Sequence, residues 1–238
     1  MVQADLHIED GLVIAQVGCT HGSLDLVYRQ IAYLEQRNNT KVDLAICCGD
    51  FQSLRNGYDM SLMDCPPKYK QMGDFIKYFR GEREASCLTV FIGGNHEASN
   101  YLRDLYYGGW VANNIYFMGA SGVLTVTKGS KRVRIGGISG IDKHWDSQRG
   151  YFERKPYRSG GRKEQSLTKS MYHIREFEVQ KFCLLQERVD VMVSHEWPTL
   201  VTTPRLNRDM RSVEQLIRFK PYFKDEIRKG ILGSQMLS

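Results

Sequence analysis

Metal-binding residue types follow four short apolar runs of this sequence. Each run reads as a buried strand, and each ends where thiol, imidazole, carboxylate or amide side chains begin. These are the groups that hold zinc and other transition metals in proteins, so together they could form a metal site, whereas each residue taken alone could equally belong to a turn, a helix cap or the core. The residues concerned are Cys19 and His21 in GCTHG, Asp50 in CCGDF, Asn95 and His96 in GGNHE, and His195 in SHEWP.

The elements that must bring these residues together are predicted to alternate between strand and helix. Strands are predicted over 12–17, 42–48, 87–92 and 189–194, with a β-hairpin over 123–138 that turns at 128–131. Helices are predicted over 24–37, 69–79, 166–187 and 212–230. This order favours an α/β fold with parallel strands and one antiparallel hairpin. Ligands bind at the carboxyl ends of such strands, so we expect the four endings to converge.

Composition and charge limit the class of protein. The chain has 238 residues, a net charge of +6 and a pI near 8.9, and this balance is compatible with a polyanionic partner. Six cysteines occur without any CxxC pair, which favours a reducing compartment. Residues 1–11 are acidic and lack the pattern of a signal peptide, so they are predicted to form a tail. No run of 18 apolar residues predicts a membrane span.

A long polar segment over 142–165 is predicted to be a loop that contacts nucleic acid. Its basic residues are interleaved with aromatic ones, and cations with aromatic faces suit the phosphates and bases of single-stranded RNA. A solvated surface loop is the alternative interpretation. The segment's basic residues are Lys143, Arg149, Arg154, Lys155, Arg158, Arg162 and Lys163, against the acids Asp146 and Glu153.

The order of these motifs resembles the calcineurin-like metallophosphoesterase superfamily. Within it, Cys19 in place of the usual first Asp, together with GDFQSLRN, PPKY, FIGGNHEASN, LYYGGWVANNIYFMG, RIGGISGI, SMYHIREFEV and SHEWP, resembles the family of RNA lariat debranching enzymes. The resemblance implies an α/β fold, a metallophosphoesterase-like β-sandwich of mixed sheets flanked by helices in four α/β/β/α layers. It also implies one domain over 12–238, with the segment near 142–165 as its RNA-recognition loop.

The resemblance further implies a function and a role for each residue. Family members hydrolyse the 2′,5′-phosphodiester at the branch point of intron lariats in the nucleus, with a divalent metal. Asp50 matches the bridging ligand of two metal positions, and His96 matches the residue that protonates the departing 2′-oxygen. The soft sulfur of Cys19 favours iron(II) or zinc over magnesium, with manganese as an alternative and one or two ions bound. The implied metal ligands are Cys19, His21, Asp50, Asn95 and His195, and the implied RNA contacts are Lys143, Arg149, Arg154 and Lys155.

One element of the family pattern is absent from this sequence. Metallophosphoesterases end with a G/A-H-x-H motif, and no histidine follows His195. We therefore expect a C-terminally truncated domain, with one ligand fewer at each metal position. A catalytically impaired RNA-binding relative is accordingly one alternative function. Another metallophosphoesterase, such as a nucleotide or protein phosphatase, is the second, although GDFQSLRN departs from the GDxxDRG stretch of protein phosphatases.

Overall fold

The strands form two mixed sheets in the computed structural model, which describes residues 4–9, 11–158, 167–202 and 210–238. The strands of the first sheet are β1 Ala4–Glu9, β2 Leu12–Val17, β3 Leu44–Cys47, β4 Leu88–Phe91, β5 Gly109–Ala112 and β6 Ile115–Phe117. Those of the second are β7 Ser121–Lys128, β8 Lys131–Ile138 and β9 Val191–Ser194. Their spatial orders are β1-β2-β3-β4-β6-β5 and β7-β8-β9.

Helices connect and cover these strands. Leu24, Val27, Tyr28 and Ile31 make one buried face of the first and longest of them, as the period of the sequence predicts. The helices of this part of the chain are α1 Leu24–Asn38, α2 Gly57–Ser61, α3 Phe75–Phe79, α4 Ser99–Asp104, α5 His144–Ser147 and α6 Glu176–Cys183, with a 3₁₀ turn at Pro67–Tyr69 and helical residues at 167–170.

Three neighbouring strands run parallel and end at the same edge of the first sheet. The register pairs Ile14 of β2 with Leu44 of β3, and Leu44 with Leu88 of β4. In the second sheet β9 runs parallel to β8, pairing Ser194 with Ile138. The segments that follow β2, β3, β4 and β9 carry all the predicted metal-binding residues.

Side-chain alternation along the central strands produces two cores. Leu12 and Ile14 of β2 face a core shared with Val133 and Ile135 of the second sheet. The intervening residues of β2 face the helices, in a second core built with α1, α3 and α4. Residues of that second core include Ala15, Val17, Ala45, Cys47 and Phe91 from the strands and Leu24, Val27, Ile31, Phe75, Tyr101 and Leu102 from the helices.

Helix α6 covers the outer face of the second sheet. A Cβ atom added at Gly136 of β8 would lie 3.2 Å from Cε1 of Phe182 in α6, so strand and helix are in close contact there. The layers are therefore helices, first sheet, second sheet and helix, and the predicted α/β fold with mixed sheets is confirmed.

Two sequence predictions are wrong. The tail predicted over 1–11 contains a strand, because Ala4–Glu9 pairs antiparallel with β2 over its whole length. The sequence carried that signal in the alternation of Ala4, Leu6 and Ile8 with polar residues. The helix predicted over 166–187 is interrupted, because Ile141 forms a β-bridge with His173 and α6 begins only at Glu176.

Most other predicted elements of this region are confirmed. The strands over 12–17, 42–48, 87–92 and 189–194 are all present, as are the hairpin and α1. The helix predicted over 69–79 is shorter, since only Phe75–Phe79 is α-helical after the 3₁₀ turn. Among the basic residues of the predicted loop, Arg162 and Lys163 lie outside the described residues.

A second compact unit comprises Glu196–Ser238. Its helices are α7 Thr199–Thr202, α8 Met210–Phe219 and α9 Lys224–Lys229, with a 3₁₀ turn at Pro221–Phe223. The backbone N–H of Ser234 donates to the carbonyl of Trp197 at 2.9 Å, which ties the two ends of the unit together. The predicted helical character of 212–230 is therefore confirmed, whereas one domain over 12–238 stays a prediction.

Candidate metal centre

The four strand endings converge on one group of side chains. Cys19, Asp50 and His195 each offer a ligand atom, and these atoms all lie within 4.8 Å of one another. The Asp50 carboxylate occupies the middle, with Oδ1 3.6 Å from Nε2 of His195 and Oδ2 3.8 Å from Nδ1 of His21. The structure therefore brings together side chains that are up to 176 residues apart in sequence.

Asn95 lies on the same side of Asp50 as His195. Its Oδ1 is 3.2 Å from Nε2 of His195. The Nδ1–H of His195 donates to the carbonyl of Cys48 at 3.1 Å, and this leaves a lone pair on Nε2. Two acceptor atoms that face each other at this distance are suited to a shared cation. The chemistry of the donor set, a thiol, imidazoles, a carboxylate and an amide oxygen, therefore fits a divalent metal.

His21 lies at the other oxygen of the Asp50 carboxylate, and its side chain is half-exposed, whereas Asp50 is buried. The Sγ atom of the exposed Cys19 is 4.0 Å from Nδ1 of His195. Burial lowers the pKa of His21, and attraction to Asp50 opposes this effect. The imidazole is therefore neutral near pH 7 and has a lone pair to offer to a metal.

His21 and Asp50 have left-handed backbone conformations, which set the direction of their side chains. Asp50 has a φ of 46° and His21 a φ of 46°, a region that costs free energy for residues other than glycine. Main-chain bonds offset that cost, since the N–H of His21 donates to the carbonyl of Asp50 at 2.8 Å. Strain of this kind is common where side chains must be held for function.

Two glycines leave the space into which the ligands fit. A Cβ atom at Gly94 would lie 2.2 Å from Oδ1 of Asp50, and one at Gly49 would lie 2.2 Å from Nδ1 of His195. Neither position can hold a side chain without displacing a ligand. The glycines that precede Asp50 and Asn95 in the sequence are thus required by packing at the centre.

The buried carboxyl of Glu97 joins two of the loops. It accepts hydrogen bonds from the backbone N–H groups of Phe51 at 2.7 Å, Gln52 at 2.8 Å and Gly94 at 3.1 Å. Burial raises the pKa of Glu97 to about 8, and the charge of Asp50 adds to the effect. Glu97 stands within the GGNHE motif, but its role depends on contacts that the motif alone does not predict.

His96 is held beside the group rather than within it. Its backbone N–H donates to Oδ1 of Asp50 at 2.8 Å, and its Nδ1 lies 2.6 Å from the carbonyl of Asp64. An N–H on Nδ1 satisfies that carbonyl and leaves Nε2 for other chemistry. The ring centre is 6.0 Å from that of His21, so both imidazoles border the same opening.

The predicted RNA-binding loop is anchored to the protein through its acids. Asp146 is buried and accepts from Nδ1 of His173 at 2.7 Å, while Glu153 is buried and pairs with Arg175 at 3.2 Å. The two acids that are interspersed with the basic residues of this segment therefore point into the protein. The charge of Glu153 is matched by the buried Arg175, whereas Asp146 also pairs with Arg149 of the loop itself.

The four predicted RNA-contacting residues differ in their exposure and in the partners of their charged groups. Arg154 is exposed, whereas Nζ of Lys155 pairs with Asp104 at 2.7 Å. Arg149 pairs with Asp146 at 3.1 Å and stacks over the ring of Phe152. Lys143 is half-buried, with Nζ 5.9 Å from the ring centre of Trp145. Arg149 and Lys155 are exposed as well but form ion pairs, and none is found for Arg154 among the residues that the structure describes.

The similarity of this chain to known proteins identifies its family. The model of the calcineurin-like phosphoesterase family matches residues 12–196, which hold every predicted metal-binding residue. The chain belongs to the calcineurin-like phosphoesterase family. Members of this family use divalent metals, in agreement with the donor set described above.

The chain is also similar to curated proteins called lariat debranching enzymes, so the resemblance to that family is confirmed. It is 49% identical to the Arabidopsis thaliana protein over 224 residues, 93% of this chain and 49% of that protein. It is 48% identical to lariat debranching enzyme A of Xenopus laevis and 44% identical to the Homo sapiens enzyme, each over 225 residues and 94% of this chain. The chain spans 39% and 38% of those two proteins.

The helices of the described residues are not of the membrane-spanning type. None of them combines the length and the apolar content that a transmembrane span requires.

Proposed function

We propose that this chain is a metal-dependent phosphodiesterase that debranches intron lariat RNA by hydrolysing the 2′,5′ bond at the branch point. The observation that carries the proposal is the cluster of Cys19, Asp50 and His195 beside His96. It combines metal ligands with an imidazole whose Nε2 is not used by the protein's bond to Asp64. Its debranching specificity is supported by the names of relatives that are 44–49% identical.

We further propose which residues hold the metal. Asp50, Asn95 and His195 would form one position, and Cys19, His21 and Asp50 the other. When bound, a divalent ion would make water available as a nucleophile near neutral pH and neutralise charge on the phosphoryl oxygens. The thiolate of Cys19 favours iron(II) or zinc, with manganese as the alternative, and one or two ions would bind.

The metal identity can be measured directly. Anaerobic incubation with equal concentrations of iron(II), zinc, manganese and magnesium, followed by elemental analysis of the separated protein, should give iron or zinc. The variant Cys19→Asp should shift the retained metals toward manganese and magnesium, because it replaces sulfur with oxygen. Two tightly held magnesium ions in the unaltered chain would contradict this assignment.

The protein's own groups would handle the leaving oxygen and the substrate. His96 would deliver a proton from Nε2 to the departing 2′-oxygen, since imidazole titrates near neutral pH. Lys143, Arg149, Arg154 and Lys155 would contact the RNA phosphates, with Trp145 available for stacking because 57% of its surface is exposed. We place the activity in the nucleus, because lariats arise there by splicing.

Cleavage of a short branched RNA with one 2′,5′ bond tests the function. The matched substrate is a linear RNA of the same composition with 3′,5′ bonds alone, and each metal is supplied in turn. We expect cleavage of the branch and an intact linear RNA. The variant Asp50→Asn should lower the rate more than about 100-fold, since it removes a charged ligand, while asparagine tolerates the left-handed backbone at this position.

Other outcomes would point to the alternative functions. Binding of branched RNA without cleavage under any metal would support a non-catalytic RNA-binding relative. Hydrolysis of nucleotides or phosphoproteins with the branched RNA left intact would support another phosphatase. Either result would overturn the debranching proposal.

A further inference from the structure

Two successive hydrogen bonds connect His96, the proposed proton donor, to a residue that is distant in sequence. The hydroxyl of Tyr172 donates to Oδ2 of Asp64 at 2.5 Å, and the carbonyl of the same Asp64 accepts from Nδ1 of His96 at 2.6 Å. Tyr172 is 108 residues from Asp64 in sequence. One residue therefore links the imidazole to a different part of the fold.

The Tyr172 end of this link is itself firmly held. The carbonyl of Tyr172 accepts from the backbone N–H of Ile141 at 3.0 Å. A Cβ atom at Gly140 would lie 2.0 Å from that carbonyl, so the two segments are in close contact. The next residue, His173, is buried and bonded to Asp146. Tyr172 thus projects from a fixed base.

The same base contacts the loop that carries His96. The N–H of Gly140 donates to the carbonyl of Gly93 at 2.9 Å, and the N–H of Gly93 donates to Oγ of Ser139 at 2.9 Å. The imidazole is consequently supported from two directions. Its main chain is fixed through Gly93 and Asp50, and its ring is fixed through Asp64 and Tyr172.

We propose that Tyr172 and Asp64 are positioning residues that orient the imidazole of His96 toward the leaving oxygen. This inference deepens the proposed function and rests on it for the role of His96. Without the Tyr172 hydroxyl, the Asp64 side chain keeps the more distant Lys169, whose Nζ is 3.9 Å from Oδ1 and which is half-exposed. The Asp64 segment would then lose its partly buried anchor, and the ring would lose its fixed orientation.

A magnetic resonance measurement tests the orientation without any turnover. In metal-free protein with ¹⁵N-labelled histidine, the hydrogen-bonded Nδ1–H of His96 should give a protected, downfield proton signal. We expect that signal to be lost or broadened by exchange in Tyr172→Phe. The matched control is Tyr106→Phe, which removes a similar hydroxyl bonded at 2.5 Å to the carboxylate of Glu178. The control should keep the His96 signal.

Leaving-group dependence then tests the catalytic consequence. Departure of a ribose 2′-oxygen requires protonation, whereas departure of p-nitrophenolate does not. We expect Tyr172→Phe to lower kcat on branched RNA about tenfold and leave KM unchanged. The rate on the p-nitrophenyl ester of thymidine 5′-phosphate should change by less than about twofold, which a general loss of folding would not produce. Asp64→Ala should match Tyr172→Phe, and the double variant should lose no more than either single change.

The possible failures are distinct from one another. An unaltered Nδ1–H signal in Tyr172→Phe, or equal losses on both substrates, would overturn the positioning role. Hydrolysis of the nitrophenyl ester by the unaltered chain, with branched RNA left intact, would overturn the debranching proposal instead. In that case the resonance measurement still decides whether Tyr172 orients His96.

Discussion

The metal centre and the base of the basic loop are held in place by different kinds of contact. At the centre, main-chain groups hold the side chains, as when Cys48 accepts from His195 and three N–H groups donate to Glu97. At the base of the loop, oppositely charged side chains pair inside the protein, as Glu153 does with Arg175. Local backbone geometry thus determines the first region, and matched charges determine the second.

The largest of the expected effects is a loss of stability when the buried ion pair between Arg175 and Glu153 is broken. Arg175 is fully buried, and its guanidinium also donates to the carbonyls of His173 and Ser170. Arg175→Met should reduce the free energy of unfolding by about 3–5 kcal/mol, because it leaves the Glu153 carboxylate buried without its partner. Urea unfolding measures this. Arg83→Met, which breaks an exposed pair with Asp25, should cost less than about 1 kcal/mol.

A methyl group should be enough to disrupt the metal centre. Gly94→Ala places its Cβ against Asp50, so we expect the rate of phosphodiester hydrolysis and the retained metal to fall, the rate by about 100-fold. Gly57→Ala is the matched control, because no atom lies within 4 Å of its added Cβ. If Gly94→Ala retains metal and activity like the control, the centre is more adaptable than its geometry implies.

A smaller loss should follow from changing the carboxyl that joins the site loops. Above pH 8, where the carboxyl of Glu97 is ionised, Glu97→Gln turns one accepting oxygen into an NH₂ group that would face a backbone N–H, which leaves a buried donor unsatisfied. Thermal or urea unfolding should show a loss of about 1–3 kcal/mol. Glu35→Gln is a suitable control, because the carboxylate of Glu35 is only partly buried, accepts one backbone N–H, from Val42, and pairs with the exposed Lys41. Equal losses in both variants would contradict the special role of Glu97.

The smallest of the expected effects is on RNA binding, and it should differ between two adjacent basic residues of the loop, Arg154 and Lys155. Arg154→Ala should weaken RNA binding at low salt and reduce the salt-dependence slope by about 1, as expected for one lost phosphate contact. Lys155→Ala should have less effect, because Asp104 already neutralises that charge. Fluorescence anisotropy over a range of salt concentrations measures both slopes. The reverse order would mean that the exposure of Arg154 does not identify the RNA contact.

The sequence predicted the convergence of the strand endings better than it predicted the contacts that support them. Buried parallel strands have a clear apolar pattern, and their carboxyl ends must share one edge, so Asp50 and Asn95 could be placed together. The helix predicted over 166–187 was wrong because the bridge between Ile141 and His173 is a tertiary contact with no local signal. The hydrogen bond between the ring of His96 and the backbone carbonyl of Asp64 could not be predicted either, because every residue has such a carbonyl.

Main-chain support at the centre has a consequence for how this protein can change over evolutionary time. The carbonyl that fixes the His195 ring belongs to Cys48, and the one that fixes His96 belongs to Asp64. Any amino acid at position 48 supplies the same carbonyl, so the side chain there is restricted by its packing against the core and not by the hydrogen bond to His195. Position 64 has less freedom, because its carboxylate is also bonded to Tyr172. Two residues with the same main-chain task therefore carry different mutational tolerance.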